Sequence, residues 1–271
     1  MQNLIPPVDD PVSVFREIVS AKIGKRGARL ALLRLRVEER YAEFTDPPAD
    51  LDAINGVTFT AEERRDLLHC YNKETAPLST LRAAIRARQP QRIRWLCQYC
   101  GIDRSLRLDH YMPKANYPEF ATHPHNLVPS CTLCNERKGN AFRTNNARRI
   151  VHFYFDPVPS QRFLAAHLLY RGADPVAVFR LDLTDVPSRG AQMLQRHFSR
   201  LGLLDRYAEA ANTVIDNAHS SVVTHSPAAA AEFLLAEARR QERRYSVNYW
   251  ESVLLRALAA DAPFLASCCA P

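Results

Sequence analysis

Two CxxC pairs constrain the fold of this chain more than any other feature of its sequence. They are Cys97/Cys100 and Cys131/Cys134, about thirty residues apart. A single CxxC pair could be a thiol redox pair or two small buried residues. Two pairs at this spacing indicate one closed tetrahedral Cys₄ site, in which protein thiolates take every zinc position. We therefore predict a structural Zn²⁺ ion.

The segment between and after these cysteines predicts two short strands followed by a helix. Residues 106–111 alternate apolar and polar side chains, and Pro113 ends that strand. Residues 126–130 predict a second strand that leads into a turn, and residues 131–142 predict a short helix. The predicted order is therefore strand, loop, strand, helix.

This order would bring four polar residues together. Neighbouring side chains on a strand point to opposite faces, so Asp109 and His110 can serve one phosphate only if the strand end turns. On the predicted helix, Lys138 lies four residues after Cys134 on one face. The four residues that the elements would gather are Asp109, His110, Asn126 and Asn135.

These residues and their order resemble the HNH endonucleases, whose core is the ββα-metal fold, also called the His-Me finger. The resemblance extends from about Arg94 to Phe142. It rests on the first CxxC pair, the Asp-His and Asn-Leu dipeptides, and the closing Cys-x-x-Cys-Asn-x-x-Lys string. It implies metal-dependent hydrolysis of phosphodiester bonds in nucleic acid, giving 5′-phosphate and 3′-hydroxyl ends.

The resemblance also implies a role for each matched residue. His110 would be the general base, and Asp109 and Asn135 would hold one catalytic ion, Asn135 at a place where many relatives carry His. Asn126 would orient the histidine, and Lys138 would make a phosphate or structural contact. The chemistry agrees, because a neutral imidazole accepts a proton near pH 7. Carboxylate and amide oxygens suit Mg²⁺ or Mn²⁺.

Each of these residues also has a structural interpretation. Asp109 could cap a strand end or pair with Arg107, and His110 could be a half-buried histidine. Asn126 could bond its own backbone, and Asn135 could cap the helix. For the whole chain, the alternative to a nuclease is a catalytically silent, zinc-stapled module that binds nucleic acid or protein.

The charge of the chain favours a polyanionic partner. Its 271 residues carry a net charge of +7, and its pI is about 9.2. We expect double-stranded DNA rather than RNA, held by contacts to backbone phosphates that carry no sequence information. For the arginines, the alternative is a solvated helix face. The predicted contacts are Lys138, Lys114, Arg92 and Arg94.

The remaining cysteines and the amino end predict a cytoplasmic protein. Cys70 and the adjacent Cys268/Cys269 indicate thiols in a reducing compartment. A thiol sensor is a third hypothesis, but nothing marks Cys70 as reactive, and we expect the other two to be frayed and non-functional. The sequence shows no signal-peptide pattern and no long apolar run, so we expect no membrane partner. With eight glycines and no phosphate-cradling loop, we expect no intrinsic nucleotide site.

The fold class that we predict is α+β, mainly α, with the ββα-metal HNH core and its Cys₄ site between helical flanking regions. We divide the chain into a helical N-terminal region (1–90), the core with its zinc knuckles (91–145) and a mostly helical C-terminal region with a small β element (146–271). A composition of 46% hydrophobic and 24% charged residues is ordinary for a globular chain.

Hydrophobic periodicity predicts the elements of both flanks. In the N-terminal flank we predict helices over 11–23, 26–44, 60–71 and 78–88, with an interruption at Asp46-Pro47-Pro48. In the C-terminal flank we predict strands over 150–155 and 176–183 and helices over 160–170, 192–201, 205–218 and 227–265, the last with a break near Tyr245. We expect His123 and His125 to lie in a solvated turn because Pro124 separates them.

Neither flank shows a DNA-reading motif, so we expect target choice to depend on a partner. Freestanding HNH proteins with helical flanks resemble the effector nucleases of bacterial anti-phage systems of the Septu type, in which a separate ATPase regulates the nuclease. The resemblance thus implies a role in defence against phage and a regulatory protein partner such as an ATPase.

Overall fold

The computed structural model of this chain describes residues 1–44, 51–145 and 147–268. The predicted interruption at Asp46-Pro47-Pro48 and the thiol of Cys269 lie outside the described residues. Contacts among the elements divide the chain into two compact units. The first unit consists of residues 3–99 and 103–156, and the second of residues 1–2, 100–102 and 157–271. The division into three regions stays a prediction.

Four helices of the first unit form where the periodicity predicts them. Their N-termini follow from local capping, since Asp10 accepts from the Ser13 amide and Thr60 forms a capping box with Glu63. The helices are α1 (Pro11–Ser20), α2 (Gly24–Glu43), α3 (Ala61–Asn72) and α4 (Ala76–Ala87). Their apolar faces pack together, α1 against α2 and α4, and α2 against α3.

The strand, loop, strand, helix order is confirmed. Strand β1 (Arg107–His110) pairs antiparallel with β2 (Leu127–Ser130), with Asp109 opposite Val128 and His110 opposite Leu127. Helix α5 (Thr132–Lys138) follows and contacts β1. It is shorter than the predicted 131–142, because Gly139 adopts a positive φ of 51° and ends it.

Short elements complete the first unit. Two 3₁₀ helices, Pro118–Thr122 and Pro124–Asn126, lie between β1 and β2. After α5, the two-residue strands β3 (Arg143–Thr144) and β4 (Ala147–Arg148) pair antiparallel. The first 3₁₀ helix packs against α3, so the N-terminal helices support the loop between the strands.

The strand predicted over 150–155 is wrong. The amides of Phe155 and Asp156 both donate to the carbonyl oxygen of His152, at 3.0 and 2.9 Å, so the backbone turns there. Asp156 stabilises the turn by accepting from the His152 amide at 2.7 Å and by pairing with Arg148 at 2.8 Å. Four of the apolar side chains that suggested a strand are buried in the core all the same: Ile150, Val151, Phe153 and Tyr154.

The solvated turn predicted around His123 and His125 is also wrong, because both side chains are buried. The ring of His123 stacks on Phe44 with the ring centroids 4.4 Å apart. Burial lowers the pKa of His123 well below its usual range. Pro124 begins a 3₁₀ helix instead of an exposed turn, so this loop is part of the core.

A two-stranded hairpin opens the second unit. Strand β5 (Leu164–Arg171) pairs antiparallel with β6 (Asp174–Leu181), joined at Gly172, whose φ is +66°. Strand β6 agrees with the predicted run 176–183, but the helix predicted over 160–170 is wrong. Ala and Leu in this stretch favour a helix, yet tertiary context overrides propensity when a whole strand finds a partner. The hairpin packs against two helices of the unit, Leu203–Val222 and Trp250–Ala260.

Helices fill the rest of the second unit. Gly202 adopts a left-handed φ of 58° between the first two of these helices. The long helix predicted over 227–265 breaks at Tyr245, as expected, and again at Asp261. The helices are α6 (Ser188–Leu201), α7 (Leu203–Val222), α8 (Pro227–Arg244), α9 (Trp250–Ala260) and α10 (Ala262–Cys268).

Two further features of the second unit concern the backbone of the first CxxC turn and the cysteine near the C-terminus. Tyr207 and Trp250 each donate a 2.9 Å hydrogen bond, to the carbonyl oxygens of Cys100 and Gly101 respectively. Cys268 is buried in α10, so the expectation that it is frayed is wrong.

No helix within the described ranges is long and apolar enough to cross a lipid bilayer. The predicted class, mainly helical α+β, is confirmed.

Candidate functional site

The four cysteines of the CxxC pairs form one buried cluster. Their sulfur atoms all lie within 4.8 Å of one another. A tetrahedral zinc ion with Zn–S bonds of about 2.3 Å needs sulfurs that are about 3.8 Å apart, so the cluster has the size and donor chemistry of a Zn²⁺ site. Because the cluster supplies four thiols, protein ligands would fill the coordination sphere. The cluster therefore fits a structural zinc site, in which four thiolate ligands would leave no position open for a substrate.

Local backbone structure shapes both cysteine turns. The Ile102 amide donates to the Cys100 sulfur at 3.4 Å, and Gly101 takes a positive φ of 70° that the turn requires. In the second turn, Cys131 is the N-cap of α5 and its sulfur accepts from the Cys134 amide at 3.3 Å. A metal bound here would hold the first turn of α5 in place against β1.

A cavity of about 480 Å³ lies where β1 meets α5. Its wall includes Asp109 and His110 from β1 and Asn135 from α5. The structure thus brings the predicted base and both predicted ligands of the catalytic ion to one cavity. Beyond the end of β1 the backbone turns at Pro113, whose carbonyl oxygen accepts from the amides of Asn116 and Tyr117, both at 2.9 Å, and Pro113 also lines the cavity.

The surroundings of His110 determine which of its nitrogens can accept a proton. Its Nε2 atom is 3.0 Å from the carbonyl oxygen of Ala121. Because a carbonyl oxygen only accepts, Nε2 must carry the hydrogen, which leaves Nδ1 as the acceptor in a neutral ring. Burial, and secondarily the charge of Lys114, lower the pKa of His110 to about 3. The imidazole is therefore neutral near pH 7, as a general base requires.

Asn126 is fully buried and ties together the two segments that hold His110. Its Oδ1 accepts from the Met112 amide at 2.7 Å. Its Nδ2 donates to the carbonyl oxygens of Met112 and Phe120, at 3.1 and 3.0 Å. The second bond fixes the residue next to Ala121. This geometry fits both the structural interpretation of Asn126 and the orienting role that the resemblance implies.

Asp109 is held by two side chains behind the cavity. The Tyr99 hydroxyl donates to Oδ2 at 2.8 Å, and the Lys138 Nζ lies 3.0 Å from Oδ2 and 3.2 Å from Oδ1. The ion-pair partner of Asp109 is therefore Lys138 and not Arg107, which was the structural alternative considered for Asp109 in the sequence analysis. A carboxylate has about four acceptor positions, so these contacts leave room for a metal on the cavity side.

Asn135 is half-buried and lines the same cavity. Cys131 caps α5, so the alternative that Asn135 caps this helix is excluded. Its side chain makes no hydrogen bond with any of the described residues. One carboxylate and one amide oxygen at the same cavity fit a hard divalent cation, with water and phosphate completing its shell.

The position of Lys138 contradicts the phosphate contact predicted for it. Its side chain has no exposed surface. Besides pairing with Asp109, its Nζ donates to the carbonyl oxygen of His110 at 2.6 Å. Lys138 thus holds the end of β1 and the Asp109 carboxylate, which agrees with the structural contact that was the other interpretation.

This arrangement predicts a large loss of stability for Lys138→Met. The variant leaves the buried Asp109 carboxylate without its counter-charge, which destabilises a fold by about 3 kcal/mol or more. Urea denaturation of the variant and of Lys114→Met as the matched control measures this loss. We expect the control to change the free energy of unfolding by less than about 1 kcal/mol, because Lys114 is partly exposed. Equal losses in both variants would contradict the buried role of Lys138.

Comparison with known proteins agrees with this geometry. Residues 97–141 match the family model described as HNH endonuclease. This segment is an HNH endonuclease domain. The match runs from the first cysteine of the cluster to just beyond α5, and it contains the predicted base, both predicted ligands of the catalytic ion and all four cysteines.

Two relatives add to the comparison, and the alignment to the first of them is longer than the HNH domain. The chain is 28% identical over 187 residues to protein ea31 of Escherichia phage lambda, an alignment that covers 62% of this chain and 62% of that protein. It is 35% identical over 48 residues to the Septu protein PtuB of Bacillus thuringiensis, covering 16% of this chain and 19% of that protein. The chain thus spans less than two thirds of either relative. No solved structure matches the chain.

The other predicted phosphate contacts differ in their accessibility. Lys114 lines the cavity of the HNH domain, where its Nζ donates to Asn72 Oδ1 at 2.8 Å. Arg92 is exposed. Arg94 donates to the carbonyl oxygens of Gln89 and Ala87, both at 3.2 Å, and so caps the end of α4. Lys114 and Arg92 are therefore accessible to solvent, whereas the guanidinium of Arg94 bonds backbone carbonyl oxygens at the end of α4.

Two tyrosines of the site escaped the sequence analysis. Tyr71, from α3 and outside the HNH domain, lines the cavity, and its ring centroid is 4.2 Å from that of His110. Arg82 and Lys114 lie 4.5 and 5.0 Å from the same tyrosine ring. Tyr99 lies within the first CxxC pair and bonds Asp109. No local pattern distinguishes these tyrosines from ordinary core residues, so only the fold reveals them.

Proposed function

We propose that this chain is a metal-dependent endonuclease that hydrolyses phosphodiester bonds in nucleic acid. One observation carries the proposal. His110, bonded so that Nδ1 is its proton acceptor, shares one cavity with the oxygen donors of Asp109 and Asn135. A base beside a metal site, within a domain of the HNH family, is the constellation that phosphodiester hydrolysis needs.

The residues would divide the chemistry between them. A water molecule attacks phosphorus while Nδ1 of His110 takes its proton. Asp109 and Asn135 would hold one Mg²⁺ or Mn²⁺ ion, which stabilises negative charge on the phosphoryl and leaving oxygens when bound. Asn126 keeps the histidine oriented, and Lys138 keeps the carboxylate at the cavity wall.

Double-stranded DNA is the polymer that we propose as substrate. The net charge of +7 favours a polyanion, and Lys114 places a positive charge at the cavity. The alternative function, a catalytically silent zinc-stapled binding module, has one observation in its favour. The ammonium of Lys138 already neutralises the Asp109 carboxylate, and a carboxylate that binds a metal ion would not need this counter-charge.

Cleavage assays distinguish the two functions. Supercoiled plasmid and single-stranded RNA are incubated with the zinc-loaded chain in the presence of Mg²⁺, Mn²⁺ or EDTA. We expect nicked or linear plasmid with either metal ion and intact plasmid with EDTA. Cleavage of RNA alone would contradict the choice of DNA. Binding of plasmid without cleavage, in every metal condition and with neighbouring gene products added, would favour the binding module.

The phosphate contact of Lys114 makes a separate prediction. Replacing Lys114 by alanine should weaken DNA binding uniformly across sequences and reduce the slope of log K against log salt by about 1. Fluorescence anisotropy with labelled duplexes at several salt concentrations measures both effects. Arg94→Ala is the matched control, because Arg94 bonds backbone carbonyls, and we expect it to leave the slope unchanged. An equal reduction of the salt slope in Arg94→Ala would contradict the assignment of Lys114 as the phosphate contact.

We further propose that the nuclease acts in the bacterial cytoplasm, in defence against phage, together with a regulatory protein such as an ATPase. Two observations support this. The match to the Septu protein PtuB covers 48 residues at 35% identity. Neither flank contains a recognisable DNA-reading motif, so selectivity has to come from elsewhere. Co-purification with neighbouring gene products, and phage plating on cells expressing them, tests the proposal. A lone chain that is fully active and sequence-selective would contradict it.

A further inference from the structure

One face of α2 has no partner within the described part of the chain. The side chains of Leu32 and Leu35 are 85% and 64% exposed, and Ala28 and Ala31 beside them are exposed as well. Positions 28, 31, 32 and 35 follow the i, i+3, i+4, i+7 spacing of one helix face. The opposite face, including Leu30 and Val37, is buried in the first unit. Large exposed aliphatic side chains grouped on one face mark an interaction surface.

Ala28, Ala31, Leu32 and Leu35 form an apolar stripe, and unpaired charges of opposite sign lie at its two ends. Lys25 and Glu39 are exposed, and neither forms an ion pair with a described residue. The other charged residues of α2 all form ion pairs: Arg26 and Arg29 with Asp66, Arg34 with Glu38, Arg36 with Glu63, and Arg40 with Glu43 and Glu119. The two unpaired charges are therefore distinguished from the remaining charges of the helix.

The spacing of the stripe is symmetric about Leu32. Lys25 precedes it by seven residues and Glu39 follows it by seven. Positions 25, 28, 32, 35 and 39 also alternate in steps of three and four, the repeat of helices that pack side by side. A surface with an apolar centre and opposite charges at equal distances is complementary to itself when one copy is turned end to end.

We propose that α2 pairs antiparallel with α2 of a second copy of this chain, about a twofold axis near Leu32. Such an interface is isologous, so that each contact between unlike residues occurs twice. Lys25 of each copy meets Glu39 of the other, Leu32 meets Leu32 of the other copy at the axis, and Leu35 of each copy lies near Ala28 of the other.

Sedimentation velocity of the full chain tests the pairing. The monomer has a mass of 30.7 kDa. We expect a concentration-dependent species of twice this mass between about 1 and about 100 μM, the weaker range for interfaces of modest size. Leu32→Lys should leave only monomer. Leu169→Lys is the matched control, because Leu169 is a 54% exposed leucine in the β5–β6 hairpin, and we expect it to dimerise like the wild type.

Exchange of the charges tests the antiparallel arrangement. Lys25→Glu and Glu39→Lys should each weaken dimerisation about tenfold or more, because each places like charges opposite one another. The double variant restores opposite charges at both ends and should dimerise as the wild type does. A wild-type chain that stays monomeric, a dimer that survives Leu32→Lys, or a double variant that stays as weak as the single ones would overturn the proposal.

Discussion

We expect His110→Ala to lower the rate of phosphodiester cleavage by about 10²-fold or more, the effect of losing a general base. The imidazole is neutral and bonded through Nε2 to Ala121, so Nδ1 is the group that can take a proton from water. The zinc content should be unchanged, because the side chain is not part of the cysteine cluster. Single-turnover cleavage of plasmid, with zinc measured on the same samples, gives both quantities.

Two further variants separate catalysis from packing at this position. His110→Gln can retain a side-chain donor to the Ala121 carbonyl oxygen but has no nitrogen that accepts a proton. We expect it to lose activity as severely as the alanine variant while its melting temperature stays closer to that of the wild type. His167→Ala, at an exposed histidine of β5, is the control and should cleave normally. A fully active His110→Gln would show that His110 is not the base.

The core of the HNH domain was predictable from sequence because its determinants are local. The cysteine spacing, the alternation along β1 and the proline at its end all act within a few residues, and the structure has the elements in the predicted order. The hairpin strand β5 was not predictable in this way. Its residues prefer a helix, and only pairing with β6 makes them a strand. Likewise, the turn at 150–155 depends on Asp156 and Arg148, which an apolar pattern does not reveal.

The candidate site shows the same limit of sequence reasoning. Motif spacing identified three of the residues that line the cavity, Asp109, His110 and Asn135, because their positions follow from the order of strand and helix. The burial of Lys138 and its bond to Asp109 could not be deduced, because they depend on how α5 packs against β1. Tyr71 comes from a helix that precedes the HNH domain by a long stretch of chain. Its contact with His110 arises only when that helix packs against the loop between the strands.

Loss of the zinc cluster should have the largest effect on stability. We expect Cys97→Ser to bind little zinc and to lower the free energy of unfolding by about 5 kcal/mol or more, because structural zinc sites contribute about 10–16 kcal/mol of binding energy to folding. The physical reason lies in the position of the cluster. Its second pair forms the start of α5, which carries Asn135 and Lys138 and lies against β1.

Thermal unfolding and elemental analysis of zinc measure this effect. For a chain of this length, 5 kcal/mol corresponds to a fall in melting temperature on the order of 10 °C. Cys70→Ser is the matched control, because Cys70 is also buried but lies in α3, outside the cluster, where its sulfur donates to the Asp66 carbonyl oxygen at 3.5 Å. A hydroxyl can make the same bond, so this variant should keep its zinc. A Cys97→Ser chain that retains zinc and melts with the control would contradict a structural Cys₄ site, since a closed site that loses one of four thiolates cannot hold the metal as tightly.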